Sequence, residues 1–185
     1  MKKPLIIALC GKKGVGKDTL YNSVSGMGFR RLSFSDQLKY ICSEVFPWLY
    51  LDYPQGDKDR KQFQTSRGML SPRDVWIAMN IITEIDDNVL ITRLESQLRD
   101  MIDEGHNLFV ITDLRKPEEH RWVKKNGIPI IKILDYATRE EDSVEKYVEH
   151  IVGDFYFENH KNEQSIVEFQ KLIQEILHDY SSVHR

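Results

Sequence analysis

The chain has 185 residues, 41% of them hydrophobic and 30% charged, with a formal net charge of −3. This is enough for one domain with a full core, expected over residues 1–185. The negative balance, with no basic stretch interleaved with aromatics, excludes a nucleic-acid partner from expectation. No apolar run approaches a membrane span, so no membrane partner is expected either.

Met1-Lys2-Lys3-Pro4 leads into only six apolar residues. That is not a secretory pattern, so the protein is expected in the cytoplasm, the host's if it is of phage origin. Cys10 and Cys42 have neither C-x-x-C nor metal spacing and are expected as reduced core residues. The six histidines show no H-E-x-x-H pattern.

Leu5–Cys10 is a continuous apolar run, as in a central parallel strand. Gly11-Lys12-Lys13-Gly14-Val15-Gly16-Lys17-Asp18-Thr19 follows it and opens a helix over 16–25. The stretch is one residue away from the phosphate-binding pattern G-x-x-x-x-G-K-[ST]. Its glycines permit tight backbone geometry in which successive N–H groups face phosphate oxygens. The helix N-terminus adds partial positive charge. Gly11, Lys13, Gly14, Val15, Gly16, Lys17, Asp18 and Thr19 are therefore the expected nucleotide-phosphate residues, with Lys17 reaching the β- and γ-phosphates. Asp18 stands where a hydroxyl residue is usual. It can hold Mg²⁺, leave the hydroxyl role to Thr19, or only stabilise the helix start.

A second strand is expected over 29–34, then a helix from Ser35-Asp36 to about Phe46. Residues 47–70 read as the least regular region, either a solvated loop or the place where a second substrate docks. Ser71-Pro72-Arg73-Asp74 is a helix start, with Ser at the N-cap and Pro after it. That helix is expected to carry Val75, Trp76, Met79 and Ile82 on one side. A longer helix spans 89–104, and its apolar face can serve the core or a homodimer. Strand 108–113 ends in Asp113. Helix 117–126, strand 128–134, helix 143–151, strand 154–159 and a last amphipathic helix 165–180 complete the chain.

Strands alternating with helices imply an α/β fold: a three-layer α/β/α arrangement on a five-stranded parallel sheet. Ligands bind such sheets beyond the carboxyl ends of the strands. The glycine loop, Asp36, Asp113 and Asn159 are all expected at such ends. Asp113 is a Mg²⁺ candidate, alongside Asp18 and Thr19. Phosphoryl transfer also needs cations, for which Arg60, Lys61, Arg67, Arg73, Arg115 and Arg139 are candidates, Arg115 foremost.

The glycine loop ending Lys17-Asp18-Thr19 resembles that of the P-loop deoxynucleoside monophosphate kinases, common in bacteriophages. Phe34-Ser35-Asp36-Gln37-Leu38-Lys39, Ser71-Pro72-Arg73-Asp74 and Thr112-Asp113-Leu114-Arg115 with Glu118-Glu119 are similar to further motifs of that family, in order. So is the strand–Asn–helix unit after Asp154. The resemblance implies the P-loop NTPase fold, ATP and Mg²⁺ as cofactors, and a small nucleotide as partner and acceptor. It implies Lys17, Arg115 and Arg139 as catalytic, and Asp36, Lys39, Arg60, Arg67, Arg73 and Arg115 as acceptor-binding. A substrate insertion is implied over about 47–73 and a lid over about 135–142. The lid carries Arg139 alone beside two glutamates, Gln37 replaces the family's Pro, and the usual continuation after Arg73 is missing.

The chain also resembles animal-type phosphomevalonate kinases, through the Gly-Lys-Asp loop ending and Asn159-His160-Lys161-Asn162-Glu163-Gln164. A third reading is a catalytically weak nucleotide-binding protein.

Overall fold

A computed structural model describes residues 3–54, 56–134 and 145–183. In chain order the elements are β1 (Leu5–Cys10), α1 (Lys17–Ser25), β2 (Arg30–Leu32), α2 (Phe34–Val45), a 3-10 turn (Asp57–Asp59), β3 (Phe63–Thr65), β4 (Gly68–Leu70), α3 (Pro72–Met79) and α4 (Ile82–Ile85). Then follow α5 (Val89–Asp103), β5 (Leu108–Leu114), α6 (Pro117–Lys125), β6 (Ile130–Leu134), α7 (Glu145–His150), β7 (Phe155–Glu158) and α8 (Glu163–Val183). Two compact units divide them: one takes the described residues up to Ser33 and from Ser96 onward, the other Phe34–Glu95.

The first unit holds the expected five-stranded sheet, in the order β2-β5-β1-β6-β7, with every pairing parallel. β1 sits in the middle because its residues can be buried on both faces. Ile7, Ala8, Leu9 and Cys10 are all fully buried. Leu5, Ile7 and Leu9 point to the face where α1 supplies Leu20 and Val24 and α8 supplies Phe169, Ile173 and Ile176. Phe157 packs edge-on against Phe169, with ring centroids 5.2 Å apart. On the opposite face Ala8, Phe109, Ile111 and Ile130 are equally buried. The register between β1 and β5 shifts between Ala8 and Cys10, and Cys10 pairs with Leu114.

The second unit has its own core of Leu38, Cys42, Leu49, Val75 and Leu90. Here the structure corrects two expectations. Residues 47–70 are not merely irregular: Phe63–Thr65 and Gly68–Leu70 form an antiparallel hairpin. Thr65 Oγ1 closes its turn, donating to the Gly68 carbonyl at 2.9 Å and accepting from the Arg67 N–H at 3.1 Å. Ile82 does not share a helix with Val75, because α3 ends at Met79 and Ile82 opens a separate short helix. The helix start at Ser71 is as expected. Its hydroxyl accepts from the Asp74 N–H while the Asp74 carboxylate accepts from the Ser71 N–H, a reciprocal capping box.

Both cysteines are free and buried; burial pushes each thiol up to about 11. Among the described residues no helix is long and apolar enough to cross a membrane.

Candidate active site

The glycine loop leaves β1 and closes into α1 through two left-handed glycines, Gly14 at φ 80° and Gly16 at φ 90°. A side chain on Gly11 would meet the Ile133 carbonyl at 2.8 Å, whereas the space beside Gly14 is open. The Val15 side chain is buried in the core and anchors the loop. Lys13 is exposed.

Lys17, the first residue of α1, is only 7% exposed. Its ammonium arches back over the loop and donates to the Gly11 carbonyl at 2.6 Å and the Lys12 carbonyl at 2.9 Å. Burial first, then the nearby Arg115 charge, lower its pKa to about 8. The Asp18 and Asp113 charges act against that shift. Asp18 itself points outward, 82% exposed, with its carboxylate 3.9 Å from the Arg31 guanidinium. Thr19 lines a cavity of about 460 Å³ between the loop and the turn that joins β7 to α8. Asn159, Asn162 and Ile166 line its other side.

Asp113 lies one residue before the end of β5 and accepts a hydrogen bond from Ser33 Oγ at 2.9 Å. Arg115 follows directly. Its Nε is buried and, among the described residues, has no hydrogen-bond partner. Thr112 Oγ1 is in the same condition. A desolvated guanidinium N–H without an acceptor is costly unless an anion completes it.

Glu119 explains how Arg115 is held. Its carboxylate accepts from the Arg115 and Lys116 N–H groups at 2.8 and 2.9 Å, tying the end of β5 to the start of α6. It is 5% exposed, and burial together with the Asp113 charge pushes its pKa up to about 8. In the sequence Glu119 appears only as one of two adjacent acids in a motif. Burial separates them: Glu118 faces the Lys116 ammonium at 4.0 Å.

The acceptor candidates lie in the second unit. Asp36 sits in the first turn of α2, and Lys39 donates to its Oδ1 at 2.6 Å. The Lys39 ammonium is also 5.6 Å from the Trp76 ring centroid. Arg73 is paired with Asp59 at 2.9 Å, and Lys61 with Asp74 at 2.5 Å. Arg60 and Arg67 are exposed. Trp48, Phe63, Tyr53 and Trp76 form a chain of ring contacts, while Tyr50 is 70% exposed rather than packed in the core. Arg139 and the 135–142 lid lie outside the described residues, except that the chain is described again from Glu145.

Among the described residues no three His, Cys, Asp or Glu side chains gather as a metal cage. The loop fits a polyphosphate on different grounds: an open glycine cradle, a buried ammonium bonded only to carbonyls, and an orphaned guanidinium N–H.

Among solved structures the chain is similar to a dephospho-CoA kinase from Campylobacter jejuni, with 16% identity and a TM-score of 0.54 over 92% of this chain and 96% of that one. It is also similar to TT1252 from Thermus thermophilus, with 13% identity and a TM-score of 0.52 over 96% and 98% of the two chains. These likenesses show the fold alone, an α/β fold on a five-stranded parallel sheet. No family model matches the chain, and no curated protein matches its sequence.

Proposed function

We propose that the protein transfers the γ-phosphoryl group of ATP to a small phosphorylated acceptor, a deoxynucleoside monophosphate. The observation that carries this reading is a pair of cations at the carboxyl end of the central strands, the buried Lys17 and the half-buried Arg115 with its buried Nε. Neither has a carboxylate partner within ion-pair distance among the described residues, and the Arg115 Nε has no hydrogen-bond acceptor. Phosphoryl transfer is catalysed mainly by positioning and by stabilising charge on the transferring group. A buried ammonium and a guanidinium with a buried N–H provide that, because electrostatic attraction is stronger where water is excluded.

In this reading the loop N–H groups hold the phosphates, and Lys17 exchanges its carbonyl contacts for the β- and γ-oxygens. Arg115 aims its unsatisfied N–H at the transferring group, and Glu119 keeps its backbone in place. The cavity lined by Thr19, Asn159 and Asn162 takes the donor nucleoside. Mg²⁺, when bound, would neutralise phosphate charge; Asp113 is the carboxylate placed to hold it, whereas Asp18 would have to turn in from the surface. Mg²⁺ sites of this type need only one or two carboxylates beside the phosphates. The acceptor is to be held with Asp36, Lys39, Arg60, Arg67 and Arg73, and its deoxynucleotide character rests on the resemblance of the motifs around these residues.

The test is phosphoryl transfer from Mg·ATP to a panel of deoxy- and ribonucleoside monophosphates plus phosphomevalonate. Diphosphate formed from a deoxynucleotide supports the reading. Transfer to phosphomevalonate alone replaces the acceptor. ATP binding without transfer to any acceptor makes the protein a nucleotide binder rather than a kinase.

A further inference from the structure

We propose that Asn159 is a positioning residue of the phosphate loop, whose side-chain amide sets the Val15–Gly16 peptide so that the Gly16 N–H faces the bound phosphate. This rests on reading Gly11–Thr19 as a phosphate site.

Asn159 is 5% exposed and follows β7 directly. Its Nδ2 donates to the Val15 carbonyl at 2.8 Å, a buried bond across 144 residues of sequence. Its Oδ1 accepts from the Lys161 N–H at 3.0 Å, made possible by the left-handed Lys161 at φ 54°. Its own N–H donates to the Leu134 carbonyl of β6 at 2.9 Å. The amide therefore has one orientation. Turned over, its oxygen would face a carbonyl and its NH₂ would face an N–H.

The consequence for the loop follows from peptide geometry. Every described peptide bond is trans, so the carbonyl of a planar unit and the N–H that follows it point in opposite directions. With the Val15 carbonyl turned onto Asn159, the Gly16 N–H must point away from it. A peptide next to a glycine is otherwise easily turned over, since glycine tolerates both signs of φ. The contact also accounts for glycine at position 16 a second time. A Cβ there would lie 2.5 Å from Asn159 Nδ2, in addition to the strain of φ 90°. A loop lysine and a loop glycine are thus oriented by different parts of the chain, Lys17 by the loop's own carbonyls and Gly16 by the turn after β7.

The test uses Asn159→Leu, which is close in size, brings no charge to the phosphate loop and loses the donor to Val15 along with the acceptor for Lys161. Binding of inorganic tripolyphosphate and of Mg·ATP is measured by calorimetry, beside thermal unfolding. The proposal expects both ligands to bind about tenfold more weakly, the effect of one lost buried hydrogen bond. Weaker Mg·ATP binding with unchanged tripolyphosphate binding overturns it, because Asn159 then touches the nucleoside instead.

A measurement on the wild-type protein does not depend on the variant folding. The Gly16 amide proton is expected to move downfield as tripolyphosphate is added, and an unmoved Gly16 amide overturns the proposal. Tripolyphosphate binding lost in the variant, in a protein that transfers no phosphoryl group, supports this proposal while sinking the kinase reading. A wild-type protein that binds neither ligand sinks both.

Discussion

The cations of the two units are held in contrasting ways. In the first unit Lys17 meets backbone carbonyls and Arg115 has a buried Nε with no acceptor. In the second unit Arg73 faces Asp59, Lys61 faces Asp74 and Lys39 faces Asp36. Lys17 and the Arg115 Nε are already out of water, so an arriving phosphate adds attraction without first breaking an ion pair. A cation of these pairs must first exchange a carboxylate for its ligand, and the Arg73 and Lys61 pairs are exposed enough for that exchange to be easy, whereas Lys39 and Asp36 are half-buried. The difference separates a preorganised anion site from a surface that a substrate can rearrange.

The sharpest way to break that comparison is Lys17→Ala. It should lower the rate of phosphoryl transfer by at least about a hundredfold, the scale of losing one preorganised charge donor. An activity within a few fold of wild type, in a variant that melts normally, would remove Lys17 from the mechanism.

Next in size is Gly16→Ala. A left-handed φ costs a non-glycine residue about 1–2 kcal/mol, and the new Cβ must displace Asn159. Urea unfolding should show a loss of about 2 kcal/mol or more. A neutral substitution would mean that the loop does not hold this conformation.

Asp59→Ala probes the second unit. It releases Arg73, and if Arg73 binds the acceptor phosphate, the acceptor KM should fall a few fold while kcat stays level. Arg73→Ala should raise the same KM. If neither substitution moves it, the acceptor does not use this arginine.

A separate prediction concerns the pH dependence of stability set by Glu119. Its folded pKa, about 8, lies above the ordinary value of 4.5. The folded protein therefore binds more protons than the unfolded chain between those values, and this contribution to stability falls as pH rises from about 4.5 to 8. Urea unfolding of Glu119→Gln, which cannot ionise, should show a flatter profile over pH 5–8. Parallel profiles for the two proteins would count against the buried, proton-holding carboxyl.

Much of the first unit is legible in the sequence. Leu5–Cys10, the glycines after it and the strand ending near Asp113 announce themselves through unbroken apolar runs and glycine spacing, both local signals. The hairpin of Phe63–Leu70 was not legible. Its strands have three residues each, too short for an alternating pattern, and Phe63 is oriented by its stacking on Trp48, centroids 4.4 Å apart. The candidate site divides the same way. Gly16 and Lys17 were readable as a motif, whereas Glu118 and Glu119 were equivalent until folding buried one of them.

The sequence by itself determined the order of strands and helices in the first unit, the phosphate-type loop and the capped start at Ser71, because each depends on neighbours within a few positions. Only the tertiary structure decided which charges are paired, which are stranded and which carboxyl keeps its proton. Those properties depend on distance and solvent exclusion between residues far apart in the chain, as Val15 and Asn159 are, and no spacing pattern encodes them.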